Sequence, residues 1–182
     1  MKRIVLIYGL IAGAIVGAMM LITMPMYKSG TLNFDNGELV GYSTMVIALS
    51  LVFLGIKSFR DNNGNGVISF GKAIQVGLLI TLVASVMYAL SWEVSYSQMG
   101  EEFIQKMTEH SFEKMKAEGA TEAELAEKKE EWADFAEMYK NPIIRFGFSI
   151  MEISWVGVLI TLVSAGLLRK KEFLPASNVS TS

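Results

Sequence analysis

Cysteine is absent, histidine occurs once (His110) and proline three times among 182 residues. Without cysteine the chain can form no disulfide, thiolate zinc site, thiol nucleophile or iron–sulfur cluster. One histidine leaves too few ligands for a histidine-based metal centre and argues against a catalytic triad. His110 and Glu113 share a helix face, but two ligands do not make a metal site. Basic charge is not in excess either. Sixteen Lys and Arg stand against 18 Asp and Glu, a net charge of −2. A phosphate backbone therefore has little to bind, and no nucleic-acid partner is expected. No residues converge as nucleophile, base or metal site, so the expectation is a non-enzymatic protein without a cofactor.

Apolar sequence is what the chain has in quantity: 52% of it, gathered into runs with the charges between them. A bilayer core about 30 Å thick takes roughly 20 helical residues at 1.5 Å each. Four runs answer to that length: Ile4 to Met26, which carries no charge, the shorter Val40 to Ile56, then Phe70 to Tyr96 and Ile143 to Leu168. Lys2, Arg3 and the triplet Ala12-Gly13-Ala14 imitate a signal peptide. The apolar run continues to Met26, beyond a usual h-region, and reads as an uncleaved span. The predicted fold class is all-α, a four-helix transmembrane bundle embedded in the lipid bilayer.

The one long polar segment, residues 97–141, separates spans three and four. From Glu101 to Lys140 it holds 12 acidic and 6 basic residues. Phe103, Met107 and Met115, then Leu125, Trp132, Ala136 and Tyr139, fall near helical spacing. Gly119 interrupts the pattern, and Thr121 with Glu124 forms a capping box that restarts it. The pattern predicts an extramembrane helical hairpin whose apolar stripes face each other, with span three running into its first helix. The chain thus divides into residues 1–96 (spans one to three), 97–141 (the hairpin) and 142–182 (span four and a tail). Short-loop Lys and Arg set orientation. Lys2, Arg3, Lys57, Arg60, Lys72, Arg169, Lys170 and Lys171 fall on one side, against Lys28, Lys140 and Arg145 on the other. The expected topology is a multi-pass protein of the cell membrane, with both termini cytoplasmic and the hairpin outside.

Helices in lipid associate where small residues let their backbones approach. Gly9, Gly13 and Gly17 repeat at that spacing in span one. Ala73, Gly77, Thr81, Ser85 and Ala89 do so in span three, and Gly157, Thr161 and Ala165 in span four. These seams predict tight internal packing. The span-one seam also suits a homo-oligomer or a membrane-protein partner. Ionisable groups within spans are costly and mark polar sites. Glu152 lies roughly 13 Å into span four, while Glu93 and Arg145 lie nearer the outer interface. Arg145, Ser149, Glu152 and Trp155 are spaced to share a face. The candidate intramembrane polar site is Glu152, Glu93 and Arg145. Glu93 is the expected partner of Arg145, and a hydroxyl of another span the expected partner of Glu152.

Residues 59–72, FRDNNGNGVISFGK, imitate a calcium loop, with Asp61, Asn63, Asn65, Gly66 and Ile68 in their slots. Position 12, which should supply a bidentate Glu, is Lys72. The Asn and Gly residues instead suit a tight turn. Asn178-Val179-Ser180 fits a glycosylation acceptor that a cytoplasmic tail would leave inert. The stretch Gly55 to Asp61, GIKSFRD, leads to FGKA at Phe70 to Ala73, and Glu152 is followed by ISWVGVLITLVSAGLLRKK. In these features the chain resembles the bacterial membrane family catalogued as domain of unknown function 4199, over nearly its whole length. The proline expected near Trp155 is missing. The resemblance implies four spans and no established activity. The functional expectation is a structural or interaction protein. The alternative is a small proton- or ion-coupled transporter or channel using Glu152.

Reporter fusions test the topology. Fusions after residue 30 and within the hairpin should report outside, and fusions after residues 63 and 171 inside. A cytoplasmic hairpin would overturn the charge argument.

Overall fold

A computed structural model describes residues 1–175, so the Asn178 acceptor sequence lies outside the described residues. The described residues fold as five helices: α1 (Lys2–Lys28), α2 (Phe34–Asn63), α3 (Phe70–Ala117), α4 (Glu122–Tyr139) and α5 (Pro142–Leu168). Four stretches are long and apolar enough to cross a membrane: α1, α2, α3 over Phe70–Gln98, and α5. Their outward faces leave Leu10, Ile47, Leu90, Leu159 and Val163 accessible, the surface of a protein solvated by lipid rather than water. The protein is an all-helical membrane protein with a hairpin between spans three and four.

Local signals set the helix ends. Asn33, Ser69, Thr121 and Asn141 each cap a helix by accepting a backbone N–H, and Pro142 occupies the first turn of α5. The Thr121 capping box is complete, and the Thr121 N–H holds the Glu124 carboxyl below its usual range. Span two is longer than its apolar run predicts. Its helix begins six residues earlier because Asn33 caps it there. It runs on to Asn63 because Lys57 and Arg60 neutralise Asp61 along the way. Gly119, at φ +89°, makes the turn between α3 and α4.

The long helix α3 touches every other element. Among the described residues α1 and α5 do not touch, so they occupy opposite corners of the bundle with α2 and α3 between them. Two small-residue seams bring the backbones together. A Cβ added to Gly9 would lie 2.6 Å from the Val83 Cβ, and one on Gly13 would lie 2.6 Å from the Met87 Cβ. Gly17 meets Ser91 in the same way. On the other side of α3 the pairing is reciprocal: Gly77 faces Thr161, and Gly157 faces Thr81. The span-one seam is therefore filled by α3 of the same chain.

The hairpin differs in one respect from its expected packing. Its two apolar stripes do not close on each other, and α3 and α4 touch only sparsely. Phe103 instead meets Tyr27 and Phe34, at 5.3 and 5.5 Å between ring centroids. Phe135 and Tyr139 of α4 pack against Phe148 of α5, and Tyr139 against Tyr96. Aromatic partners at the bundle rim offer large ring surfaces, and they take both stripes.

Gly13→Leu should destabilise the fold by about 1–3 kcal/mol, because the new side chain has to displace Met87 and the α3 backbone. Thermal unfolding in mild detergent reads this directly. An unchanged midpoint would mean that α1 does not pack on α3 through this seam.

Candidate functional site

Between the upper halves of the spans and the hairpin lies a cavity of about 550 Å³. Each helix contributes to it because the seams pull α1 and α5 onto α3 while the hairpin stripes splay apart. Aromatic side chains dominate the wall, among them Tyr42, Trp92, Phe103, Trp132 and Phe135, with Met20, Met24, Met45 and Met107 filling between them. Asp35, Glu38, His110 and Lys114 line the end nearest the hairpin, and Glu152 lines the deep part.

Glu152 is held by the partner class expected of it. The Tyr88 hydroxyl donates to its Oε2 at 2.9 Å. Among the described residues no group donates to Oε1. Glu152 is accessible because it lines the cavity, deep though it is. Burial pushes the Tyr139 hydroxyl, at the rim, up to about 12. The Trp92 and Trp132 indole N–H groups are buried with no acceptor in hydrogen-bond geometry, although Trp92 approaches the Tyr139 hydroxyl.

The other two members of the predicted site form a separate cluster. Arg145 Nε donates to Glu93 Oε1 at 2.8 Å and Nη2 to Glu93 Oε2 at 2.5 Å, a bidentate pair. Arg145 Nη1 donates to the carbonyls of Tyr139 and Lys140 at 3.1 and 3.3 Å, and the guanidinium stands 3.8 Å from the Tyr96 ring centroid. One side chain thus ties span three, span four and the unsatisfied carbonyl end of α4 together. The predicted shared face also divides. Arg145 and Ser149 are buried, whereas Trp155 is 51% exposed on the outside of the bundle.

Arg60 repeats this arrangement at the opposite end, and the sequence reading missed it. It is fully buried, donates to the Leu168 and Phe173 carbonyls at 3.4 and 2.9 Å, and also donates to the Leu174 carbonyl. Its Nε donates to Asp61 Oδ1 at 2.8 Å, and Lys57 Nζ reaches Asp61 Oδ2 at 2.5 Å. Both carboxylate oxygens of Asp61, first position of the imitation calcium loop, are thereby committed to side-chain cations. Asn65 and Gly66 adopt φ of +48° and +81°, the backbone of a turn. The detectable signal for Arg60 was an arginine one turn inside a helix end, which the charge count absorbed as a loop charge. The aromatic cavity wall was also missed, because its residues are scattered over four helices.

His110 lies at the hairpin face of the cavity. Its Nε2 is 3.3 Å from Asp35 Oδ1 and its ring stacks on Phe34. Among the described residues no three His, Asp or Glu side chains gather closely enough to hold a metal ion.

The family described as "Protein of unknown function (DUF4199)" matches residues 7–170, all but the two ends of the chain. The chain belongs to that family. No curated protein and no solved structure matches it.

Glu93→Gln should cost about 3 kcal/mol, near the lower limit for breaking a buried pair, because Glu93 keeps a quarter of its side chain exposed. Replacing both partners with apolar residues, Glu93→Leu with Arg145→Met, should recover part of that loss. Thermal unfolding of the wild type and both variants checks this, and a double variant worse than the single would contradict it.

Proposed function

We propose that this member of the DUF4199 family is a non-enzymatic protein of a bacterial cell membrane that binds a small amphipathic molecule, entering from the side on which the hairpin stands. The cavity between the hairpin and Glu152 carries the reading. Its volume falls within the range of small-molecule sites, and its make-up, apolar and aromatic walls with few polar groups, is theirs. A bundle with no ligand gains nothing from a deep carboxyl that leaves one oxygen unpaired, since intramembrane carboxyls are costly to keep. The basic residues at both termini and around Lys57 to Lys72 support cytoplasmic termini and a cavity mouth facing outward. With the α1 seam already filled, a homo-oligomer or membrane-protein partner would use the lipid-facing surfaces.

Transport coupled to Glu152 is the second reading. It is favoured by the Ser85 and Ser154 hydroxyls, 3.1 Å apart and deeper in the bundle than Tyr88 and Glu152. Glu152→Gln separates the two. Under the binding reading, proteoliposomes show no pH-dependent flux for this change to remove. Flux in the wild type, lost in a folded Glu152→Gln protein, would install transport instead.

Gly41 provides the direct test of binding. It lines the cavity, and a Cβ placed there meets nothing within 4 Å. Gly41→Phe should fill the space without unfolding the helix, and phenylalanine has the better helix propensity. In a Trp155→Phe background the tryptophan fluorescence comes from Trp92 and Trp132 alone. A neutral bromoalkanol should quench them saturably, and Gly41→Phe should weaken that quenching several-fold with no fall in melting midpoint. Unsaturable quenching, or quenching indifferent to Gly41→Phe in a folded protein, would defeat the reading.

A further inference from the structure

We propose that the cavity takes an amphipathic organic cation, an ammonium head on an apolar body, with its charge seated against Glu152. The inference rests on the binding reading above and names its ligand class.

Charge is the first argument. The ionisable lining is Asp35, Glu38 and Glu152 against Lys114 and His110, and His110 is already engaged with Asp35. Among the described residues only Glu152 reaches the deep part, and its one partner there is a neutral hydroxyl. Arg145, the nearest arginine along the same helix, is committed to Glu93 and two carbonyls. A carboxyl at this depth without a protein counter-ion either holds its proton or takes a cation from outside, and a bound ammonium stabilises the ionised form. An anionic ligand would meet the same carboxylate as a like charge.

The wall supplies the second argument. Tyr42, Tyr88, Trp92, Trp132 and Phe135 surround the space with aromatic rings, whose faces attract organic cations, quaternary ammonium above all. The methionines add a polarizable lining that accepts varied apolar bodies. A space of about 550 Å³ is far larger than a bare metal ion needs, and its lining gathers no ligand cluster among the described residues.

The same Trp155→Phe protein in zwitterionic nanodiscs tests the inference, using three bromoalkyl quenchers of equal chain length: a trimethylammonium, an alcohol and a carboxylate. The trimethylammonium should bind at least about tenfold more tightly than the alcohol, and the carboxylate more weakly than both. Glu152→Gln, which keeps the side chain's shape, should erase that preference while leaving the alcohol's affinity in place. Equal saturable binding of cation and alcohol would overturn the inference and leave the binding reading standing. Preference for the carboxylate would do the same. A cation preference unaffected by Glu152→Gln would move the charge site to Asp35 and Glu38 and overturn the seat proposed here. Failure of all three to bind saturably would defeat the binding reading itself.

Discussion

Four apolar helices in a bilayer gain little by exchanging lipid for one another, so their association rests on how closely α3 lets its neighbours approach. On one side α3 receives the three glycines of α1, and on the other it trades Gly–Thr contacts with α5. Because both neighbours bind the same helix, α1 and α5 are set apart at opposite corners and α2 closes the bundle between them. The seams are tight along the span, whereas the bulky aromatics of α1, α2, α3 and α4 stand at the hairpin end. Close approach in one region and large side chains in the other leave the space above Glu152 open.

Two arginines secure the ends that the seams cannot. A helix leaves its last carbonyls without backbone donors, and in a membrane protein these have no freely available water when covered. Arg145 serves the carbonyls of Tyr139 and Lys140, and Arg60 those of Leu168, Phe173 and Leu174. Each guanidinium also holds a carboxylate, Glu93 or Asp61, so neither charge is left alone in its buried position. A lysine has one nitrogen and no planar fork, and it cannot make these contacts at once. The two clusters sit at opposite ends of the bundle and perform the same task with unrelated sequence around them.

The four spans were legible because an uncharged run such as Ile4 to Met26 has no other stable destination, and Thr121 with Glu124 announced the second hairpin helix. The pairing of Glu93 with Arg145 followed from their similar depth. What a linear reading could not supply was mutual placement. Arg60 looked like one loop charge among several, since nothing in its neighbourhood names Leu168 or Phe173, more than a hundred residues away. The hairpin stripes had the right residues with the wrong partners, because helical spacing shows which side is apolar but not what covers it. Glu152 stood out by cost alone. The cavity that gives it meaning is assembled from five helices and has no signature in any of them.

The unbroken course of α3 has a mechanical consequence. Its 48 residues form one rod about 72 Å long, of which roughly the last 30 Å projects past Gln98. A rod transmits rotation, so a tilt of roughly 10° about the glycine contacts near Val83 displaces the far tip, about 50 Å away, by ~9 Å. Trp92, Phe103 and Met107 ride on that rod, while Tyr42 and Glu152 belong to its neighbours. Any reorientation of the first hairpin helix that leaves α3 unbent therefore also changes the width of the cavity.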